Sequence, residues 1–147
     1  MKDKPDSTRT YDAEGFKRRA ACICLKKDSS SWQVLMVNSS KRPHKWIFPG
    51  GGVEPGEKSS YAAIREAGEE AGVIGKLQKY LGQFEVPNVV RKHRTEVFLM
   101  LVHNELPQWD ESESMGRQRK WFTIEEARKH LHDRKAHQVA YLESMTM

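Results

Sequence analysis

Between Gly50 and Val73 the chain runs from a glycine turn into a strongly acidic helix. At about 100° per residue, Glu66, Glu69 and Glu70 fall within an arc of about 100°, while Ile64, Ala67 and Ala71 lie on the other side. Carboxylates spaced i, i+3 and i, i+4 repel one another, so a helix that gathers them without lysine partners on that face needs a compensating reason, which a cation would supply. Hard oxygen donors suit Mg²⁺, with Mn²⁺ as a substitute. Mg²⁺ is usually held by a few carboxylates while water and substrate phosphates fill its other positions. Ala62, between the glutamates on the wheel, leaves open volume for that approach. Arg65 stands four residues before Glu69 and can pair with it or with Glu57, holding ligand side chains in place. Gly50, Gly51 and Gly52 carry no Cβ, so their carbonyls or amides can come close to a metal or a phosphate. The plain alternative for any acidic helix face is solvation alone.

The spacing of the whole segment is more specific than the three glutamates. It resembles the Nudix box, a pattern of Gly, five free positions, Glu, seven free positions, then Arg-Glu-aliphatic-free-Glu-Glu-free-Gly-aliphatic, met here by Gly51, Glu57, Arg65, Glu66, Ala67, Glu69, Glu70, Gly72 and Val73. Seven of these positions demand one residue type. At about 7% usage each, coincidence at a given start is on the order of 10⁻⁸. Ala67 is a small choice for its aliphatic slot, and Gly68 costs roughly 1 kcal/mol of helix propensity relative to Ala. The resemblance implies metal-dependent hydrolysis of a phosphoanhydride, such as a nucleoside diphosphate linked to another group. It also implies an α/β fold of the Nudix type, an α/β/α sandwich with a mixed β-sheet flanked by helices. By the same resemblance Glu66 and Glu70 are metal ligands, with the Gly50 carbonyl as a further one. Glu69 is the general base, and Gly51, Glu57 and Arg65 support the site.

The motif implies the bond and leaves the substrate open. Outside it, basic residues recur at Arg9, Lys17-Arg18-Arg19, Lys41-Arg42, Arg91-Lys92-His93-Arg94, Arg117-Gln118-Arg119-Lys120 and Arg134-Lys135. Gathered at the mouth of the metal site, they would carry more positive charge than a nucleoside triphosphate needs, which favours a denser polyanion. Thr8-Arg9-Thr10-Tyr11-Asp12, Lys17 to Cys22, Trp46 to Gly52 and Arg91 to Thr95 closely resemble the animal diphosphoinositol polyphosphate phosphohydrolases, and the similarity runs from about Thr8 to Glu143. That subfamily removes the β-phosphate from inositol pyrophosphates and splits diadenosine polyphosphates. The resemblance implies that Arg9, Lys17, Arg18, Arg19, Ser39, Ser40, Lys41, Arg91, Lys92, His93, Arg117 and Lys135 grip substrate phosphates. The loop Val86 to Val90 looks longer and more apolar than its counterpart in the subfamily.

The elements that must position these residues follow from local pattern. Arg19 to Leu25 and Trp32 to Val37 read as a hairpin about the turn Lys26 to Ser31. A short apolar piece, Trp46-Ile47-Phe48, ends at Pro49 and the glycine turn. The helix is expected from Ser59 or Ser60 as N-cap to Ala71, with Gly72 just beyond its C-terminus. Leu77 to Val86 and Thr95 to His103 read as strands, and Pro107 to Gly116 as a polar loop. Trp121-Phe122-Thr123 leads into a helix capped by Thr123 and running from about Ile124 to Leu131, and a last helix spans His137 to Met145. The economical division is a polar arm over residues 1–15, packing on or near the site, and one domain over 16–147.

Composition narrows the class. In 147 residues, Lys plus Arg number 25 against 20 Asp plus Glu, which is ordinary globular material with a basic excess. The longest apolar runs, Ala20 to Leu25 and Val97 to Val102, are far short of the roughly 18 residues that suggest a membrane span. The start, Met1 to Ser7, lacks the apolar core of a secretory signal, so a cytoplasmic protein is expected, with nuclear entry left open. Cys22 and Cys24, two apart in a strand, point to one face and read as core thiols. A monomer acting on a polyanionic small molecule is expected, with no membrane and no specific nucleic acid. The rivals are a Nudix enzyme for an mRNA cap, a nucleoside diphosphate sugar or a damaged nucleotide, which would need Trp32, Trp46, Trp109 or Trp121 as a base platform, and a basic RNA-binding module without activity.

Overall fold

The computed structural model describes residues 9–87, 90–132 and 136–145. The elements in chain order are β1 (Lys17–Asp28), β2 (Ser31–Asn38), β3 (Trp46–Ile47), β4 (Gly50–Gly52), α1 (Ser59–Ala71), β5 (Val73–Val86), β6 (His93–Glu105), α2 (Asp110–Met115), β7 (Arg119–Thr123), α3 (Ile124–His132) and α4 (Ala136–Glu143). The strands form one mixed sheet in the order β3-β2-β1-β6-β5, with β4 paired to β1 and β7 paired to β2. β1 runs parallel to β6 and antiparallel to β2 and β4, while β5 and β6 form a long antiparallel hairpin with bulges.

β1 is central and covered on both faces, which explains its continuous apolar run. Ala20, Cys22 and Cys24 pack with Leu35, Val37 and the alanines Ala62, Ala63, Ala67 and Ala71 of α1. The alternate residues Ala21, Ile23 and Leu25 pack with Val34, Met36, Phe122 and, from α3 and α4, Ala127, Leu131, Tyr141 and Leu142. Helix, sheet and helices therefore make the α/β/α sandwich that the resemblance implies. The alanine face of α1 matters because short side chains let the helix lie close to the sheet. Cys22 donates its thiol hydrogen to Ala63 O at 3.4 Å. Cys24 is held well above the ordinary thiol range by its hydrogen bond with Cys22 and then by burial. A protonated, enclosed thiol is a core group, without the reactivity of a thiolate.

Several elements differ from the sequence expectations. Gly50–Gly52 is a strand rather than a turn, because β1 offers Arg19, Ala20 and Ala21 as an unoccupied edge beyond the end of its pairing with β2. The helix starts after Lys58, not at a capping serine. The turn ahead of it is closed by Glu57, whose Oε1 accepts from the Glu54 amide at 3.0 Å, and whose own amide donates to Glu54 O at 3.0 Å. The expected loop from Pro107 to Gly116 contains α2, which is too short to show a helical period. Thr123 does cap α3 as expected: its hydroxyl accepts from the Glu126 amide at 3.2 Å, and Glu126 reaches back to the Thr123 amide at 2.9 Å.

At the other end of α1, Gly72 takes the left-handed conformation, with φ 65°, that stops the helix. A Cβ there would also meet the Trp109 ring at 2.7 Å and Arg119 Nη1 at 2.8 Å. Gly72→Ala is expected to lower stability by about 2 kcal/mol from backbone strain and overpacking together. Denaturant unfolding measures this, and an unchanged midpoint would contradict the cap geometry.

Candidate active site

The wheel sets Ala62 between the glutamates with open volume for a metal's approach, whereas the structure buries Ala62 fully in the core between α1 and the sheet. Glu66 is fully buried and Glu70 is 6% exposed, on the same inward arc as Ala62, Ala63, Ala67 and Ala71. Ile64, which the sequence reading grouped with the alanines, is 39% exposed. Two carboxylates thus face the sheet, at a cost in desolvation that only close polar partners can offset.

Those partners come from β4 and from Arg65. The Gly50 amide donates to Glu70 Oε1 at 2.9 Å. Arg65 clasps Glu57 with two bonds, Nε to Oε2 at 2.7 Å and Nη2 to Oε1 at 2.8 Å. The same guanidinium reaches Glu66 Oε2 at 3.2 Å, Glu69 Oε2 at 3.5 Å and the Gly52 carbonyl at 3.1 Å. Glu57 above all keeps it charged against the opposing effect of burial. Arg65 thereby locks the loop before α1, the strand β4 and the carboxylates into one frame. Gly51 is required by proximity, since a Cβ on it would sit 2.2 Å from Glu66 Oε2.

The donor set fits a hard divalent cation: buried carboxylates at Glu66 and Glu70, the less buried Glu69 beside them, and a glycine strand open to close approach. Among the described residues no three His, Cys, Asp or Glu side chains already converge as a metal cluster, and Arg65 lies among the glutamates. A cation would draw the carboxylates together and displace part of that pairing.

The parallel register of β1 and β6 sets Lys17, Arg18 and Arg19 beside His93, Arg94 and Thr95, with Gly52 opposite Arg19 on the other edge. Strand alternation divides the cluster. Arg18 shares the face of Ala20 and Cys22, toward α1, whereas Lys17 and Arg19 share the face of Ala21, toward α4. Arg19 Nη1 donates to Thr95 Oγ1 at 3.2 Å.

The described part of the N-terminal segment lies against this cluster. Thr10 Oγ1 donates to Val53 O at 2.7 Å, and the Arg18 amide donates to Thr10 O at 2.8 Å. Arg94 pairs with Asp12 at 2.8 Å, Glu14 at 3.0 Å and Glu85 at 2.9 Å while lying 3.8 Å from the Phe16 ring centroid. Lys92 donates to Glu14 O at 3.0 Å. Arg9, Arg91 and Lys41 are exposed, His93 is half-buried, and Lys135 lies outside the described residues.

Ser39, Ser40 and Arg117 form a second group. They line a cleft of about 250 Å³ with Asn38, Pro43, Met115, Gly116 and Gln118. Arg117 is not an open cation there. Its side chain is 8% exposed, it bonds Glu111 Oε1 through Nη2 at 2.8 Å and Nε at 3.1 Å, and it donates to Asn38 O. The sequence reading passed over Glu111, which carries no signal beyond one acid in a polar loop. It also gave no role to the contacts at the end of α1, where Trp109 Nε1 donates to Glu70 O at 2.8 Å and Arg119 Nη1 to Ala71 O at 2.9 Å.

A NUDIX domain model matches residues 16–142. The chain belongs to the Nudix family. Diphosphoinositol polyphosphate phosphohydrolase 3-alpha of Mus musculus is 52% identical over 147 residues, covering 100% of this chain and 88% of the relative. Diphosphoinositol polyphosphate phosphohydrolase 2 of Homo sapiens is 50% identical over 147 residues, covering 100% and 80%. In fold, this Nudix chain is similar to a C. elegans Ap4A hydrolase in a binary complex, with TM-score 0.69 and 23% identity over 86% of this chain and 94% of that one. It is also similar to a Nudix hydrolase from Nitrosomonas europaea, with TM-score 0.71 and 22% identity over 86% of each chain. The family assignment agrees with the resemblance drawn from the box residues.

Two outcomes follow from this geometry. Gly51→Ala forces the buried Glu66 carboxylate against its neighbours and is expected to lower metal-dependent turnover on the order of 10²-fold and, by overpacking, stability by about 1–3 kcal/mol; undiminished turnover would refute the proximity argument. Asp12 is the acid-sensitive tie of the N-terminal segment. Burial alone would raise it, but the amides of Phe16 and Glu14 and the Arg94 guanidinium prevail and hold it below its ordinary 3.8. Its contribution is therefore complete above the ordinary value and is lost as pH falls through the lower folded one. Exchange protection of the Phe16 amide should fall on acidification below the ordinary carboxylate value, and Asp12→Asn should remove that pH dependence; an unchanged acid profile in Asp12→Asn would contradict this tie.

Proposed function

We propose that this protein hydrolyses the phosphoanhydride of diphosphoinositol polyphosphates, removing the β-phosphate, and also cleaves diadenosine polyphosphates. The observation that carries the reading is the pair of buried carboxylates, Glu66 and Glu70, set against the glycine strand at the end of the sheet where Lys17 to Arg19 and His93 meet. The names of the relatives that match the whole chain at 50–52% identity support the substrate class.

Glu66 and Glu70, with the Gly50 carbonyl, would hold a divalent cation, Mg²⁺ or in its place Mn²⁺. When bound, the metal supplies charge neutralisation at the phosphate oxygens and a lowered pKa for water. Glu69, with 30% of its side chain exposed, accepts the proton of the attacking water. The water oxygen bonds to the β-phosphorus as the bridging P–O bond breaks, and the electron pair leaves on the oxygen of the retained phosphate. Arg65 and Glu57 keep the glutamates oriented, and Gly51 gives them room.

Arg9, Lys17, Arg18, Arg19, Ser39, Ser40, Lys41, Arg91, Lys92 and His93 grip the phosphates, with Lys135 added from outside the described residues. Arg117, held by Glu111, shapes the cleft of Ser39 and Ser40. Among the described residues no helix is long and apolar enough to cross a membrane. Action as a monomer in the cytoplasm completes the reading.

The test is phosphate release from a diphosphoinositol pentakisphosphate and product formation from diadenosine hexaphosphate, side by side, with Mg²⁺ and then with chelator. Metal-dependent release from the inositol compound is expected, with Glu70→Gln lowering kcat by at least about 100-fold in a folded protein. Turnover that survives chelation, or a Glu70→Gln variant of normal activity, would overturn the assignment.

A further inference from the structure

Arg94 is the last residue of the basic run 91–94, yet its guanidinium is taken up by acids. Nη1 donates to Asp12 Oδ2 at 2.8 Å and Glu14 Oε1 at 3.0 Å, and Nε donates to Glu85 Oε2 at 2.9 Å. Its Cζ lies 3.8 Å from the Phe16 ring centroid. Two strands and the N-terminal segment therefore meet at one side chain, which is 16% exposed. What these contacts hold is a small hairpin, closed by an antiparallel bridge between Tyr11 and Lys17. Inside it the Asp12 carboxylate accepts from the Glu14 and Phe16 amides, each at 3.0 Å, the Asp12 amide donates to Phe16 O at 2.9 Å, and Gly15 completes the turn at a φ of 83°. These local bonds give the hairpin its shape. A hairpin this small has too little core of its own to fix where it lies, so its placement comes from outside. Lys92 adds a second tie to β6, donating to Glu14 O at 3.0 Å with its Nζ 4.8 Å from the Phe16 ring centroid.

The open end of the hairpin is set against the candidate active site. The Val53 amide donates to Arg18 O at 3.0 Å and the Arg18 amide donates to Thr10 O at 2.8 Å, so Thr10 continues along the edge of β1 where β4 stops. Thr10 Oγ1 adds a bond to Val53 O at 2.7 Å. Arg9 directly precedes Thr10, and Lys17 is the bridge partner of Tyr11. The position of the hairpin therefore decides where both cations stand relative to the glycine strand.

We propose that Arg94 is a positioning residue for substrate binding: by pinning the 11–17 hairpin from β6, it sets Arg9 and Lys17 at the mouth of the site without itself meeting a phosphate. A guanidinium suits the task because one planar fork serves several carboxylates at once, which an ammonium does not reproduce. The inference rests on the reading of Arg9 and Lys17 as residues that grip the phosphates of an inositol pyrophosphate. It adds what holds them there, and it separates Arg94 from the three residues before it in the same basic run.

The test measures Arg94→Gln, Arg9→Ala and the double variant on diphosphoinositol pentakisphosphate with Mg²⁺. Arg94→Gln is expected to raise KM roughly tenfold while kcat stays within about twofold. In the Arg9→Ala background the same change should raise KM less than about threefold, because a residue that acts through another loses most of its effect once that other is gone. Arg94→Lys should recover part of the loss. Asp12→Ala releases the hairpin from its own side and should give the same KM rise, which keeps the test open if Arg94→Gln fails to fold. Amide exchange supplies a readout independent of turnover: protection at Phe16 and Arg18 should fall in Arg94→Gln while that at Ile23, inside the pairing of β1 with β6, is kept. Unchanged KM in the folded variants, a fall in kcat at constant KM, the same fold-change with and without Arg9, or full protection at Phe16 and Arg18 would overturn the assignment. A parent protein that hydrolyses no inositol pyrophosphate would instead overturn the proposed function, while amide exchange would still decide whether Arg94 holds the hairpin.

Discussion

Burying two carboxylates on the face by which a helix meets its sheet is the constraint on which much of this molecule depends. Glu66 and Glu70 lie on the same arc as the alanines that seat α1, so they cannot swing out to solvent without unseating the helix. Their compensation has to be built around them. β4 offers a backbone amide to Glu70 and an absent Cβ to Glu66, and Arg65 supplies one guanidinium shared among Glu57, Glu66, Glu69 and the Gly52 carbonyl. A buried, arginine-held set of acids is stiff, since each carboxylate is fixed by partners that cannot move without disturbing the others.

The far end of the same helix is held by a different device. No basic residue occupies the last turn of α1, and the segment after β6 brings its own donors instead. The Trp109 indole meets Glu70 O, and the Arg119 guanidinium meets Ala71 O, where a positive charge also complements the helix dipole. Burial lowers the pKa of Arg119 from its ordinary value. Between these two residues, the buried pair Glu111 and Arg117 fixes α2 and reaches the Asn38 carbonyl ahead of Ser39. Helix α1 and the serine cleft are therefore tied to one short stretch of chain.

The basic excess of the sequence does not become a uniform surface. Arg94 and Lys92 are spent partly on the N-terminal segment, and Arg117 on Glu111. Others, such as Arg9, Lys41 and Arg91, are exposed. Parallel pairing of β1 with β6 concentrates cations where the glycine strand also lies, and alternation sends neighbours to opposite faces.

By itself the sequence determined the parts of the protein written in local spacing. The helix from Ser59 to Ala71, its glycine stop, the hairpin of β1 and β2, the cap at Thr123, the core cysteines and the acid–arginine–glycine pattern are all readable because each depends on residues a few positions apart. Tertiary structure alone decided that three glycines make a strand, since that depends on an edge of β1 that no local pattern announces. It decided likewise that the glutamates face inward, because a helical wheel gives relative angles and not which arc meets the sheet. The roles of Glu111, Trp109 and Arg119 were also out of reach: their partners lie up to 48 positions away, and only the closing of the chain brings an indole and a guanidinium to the end of a distant helix.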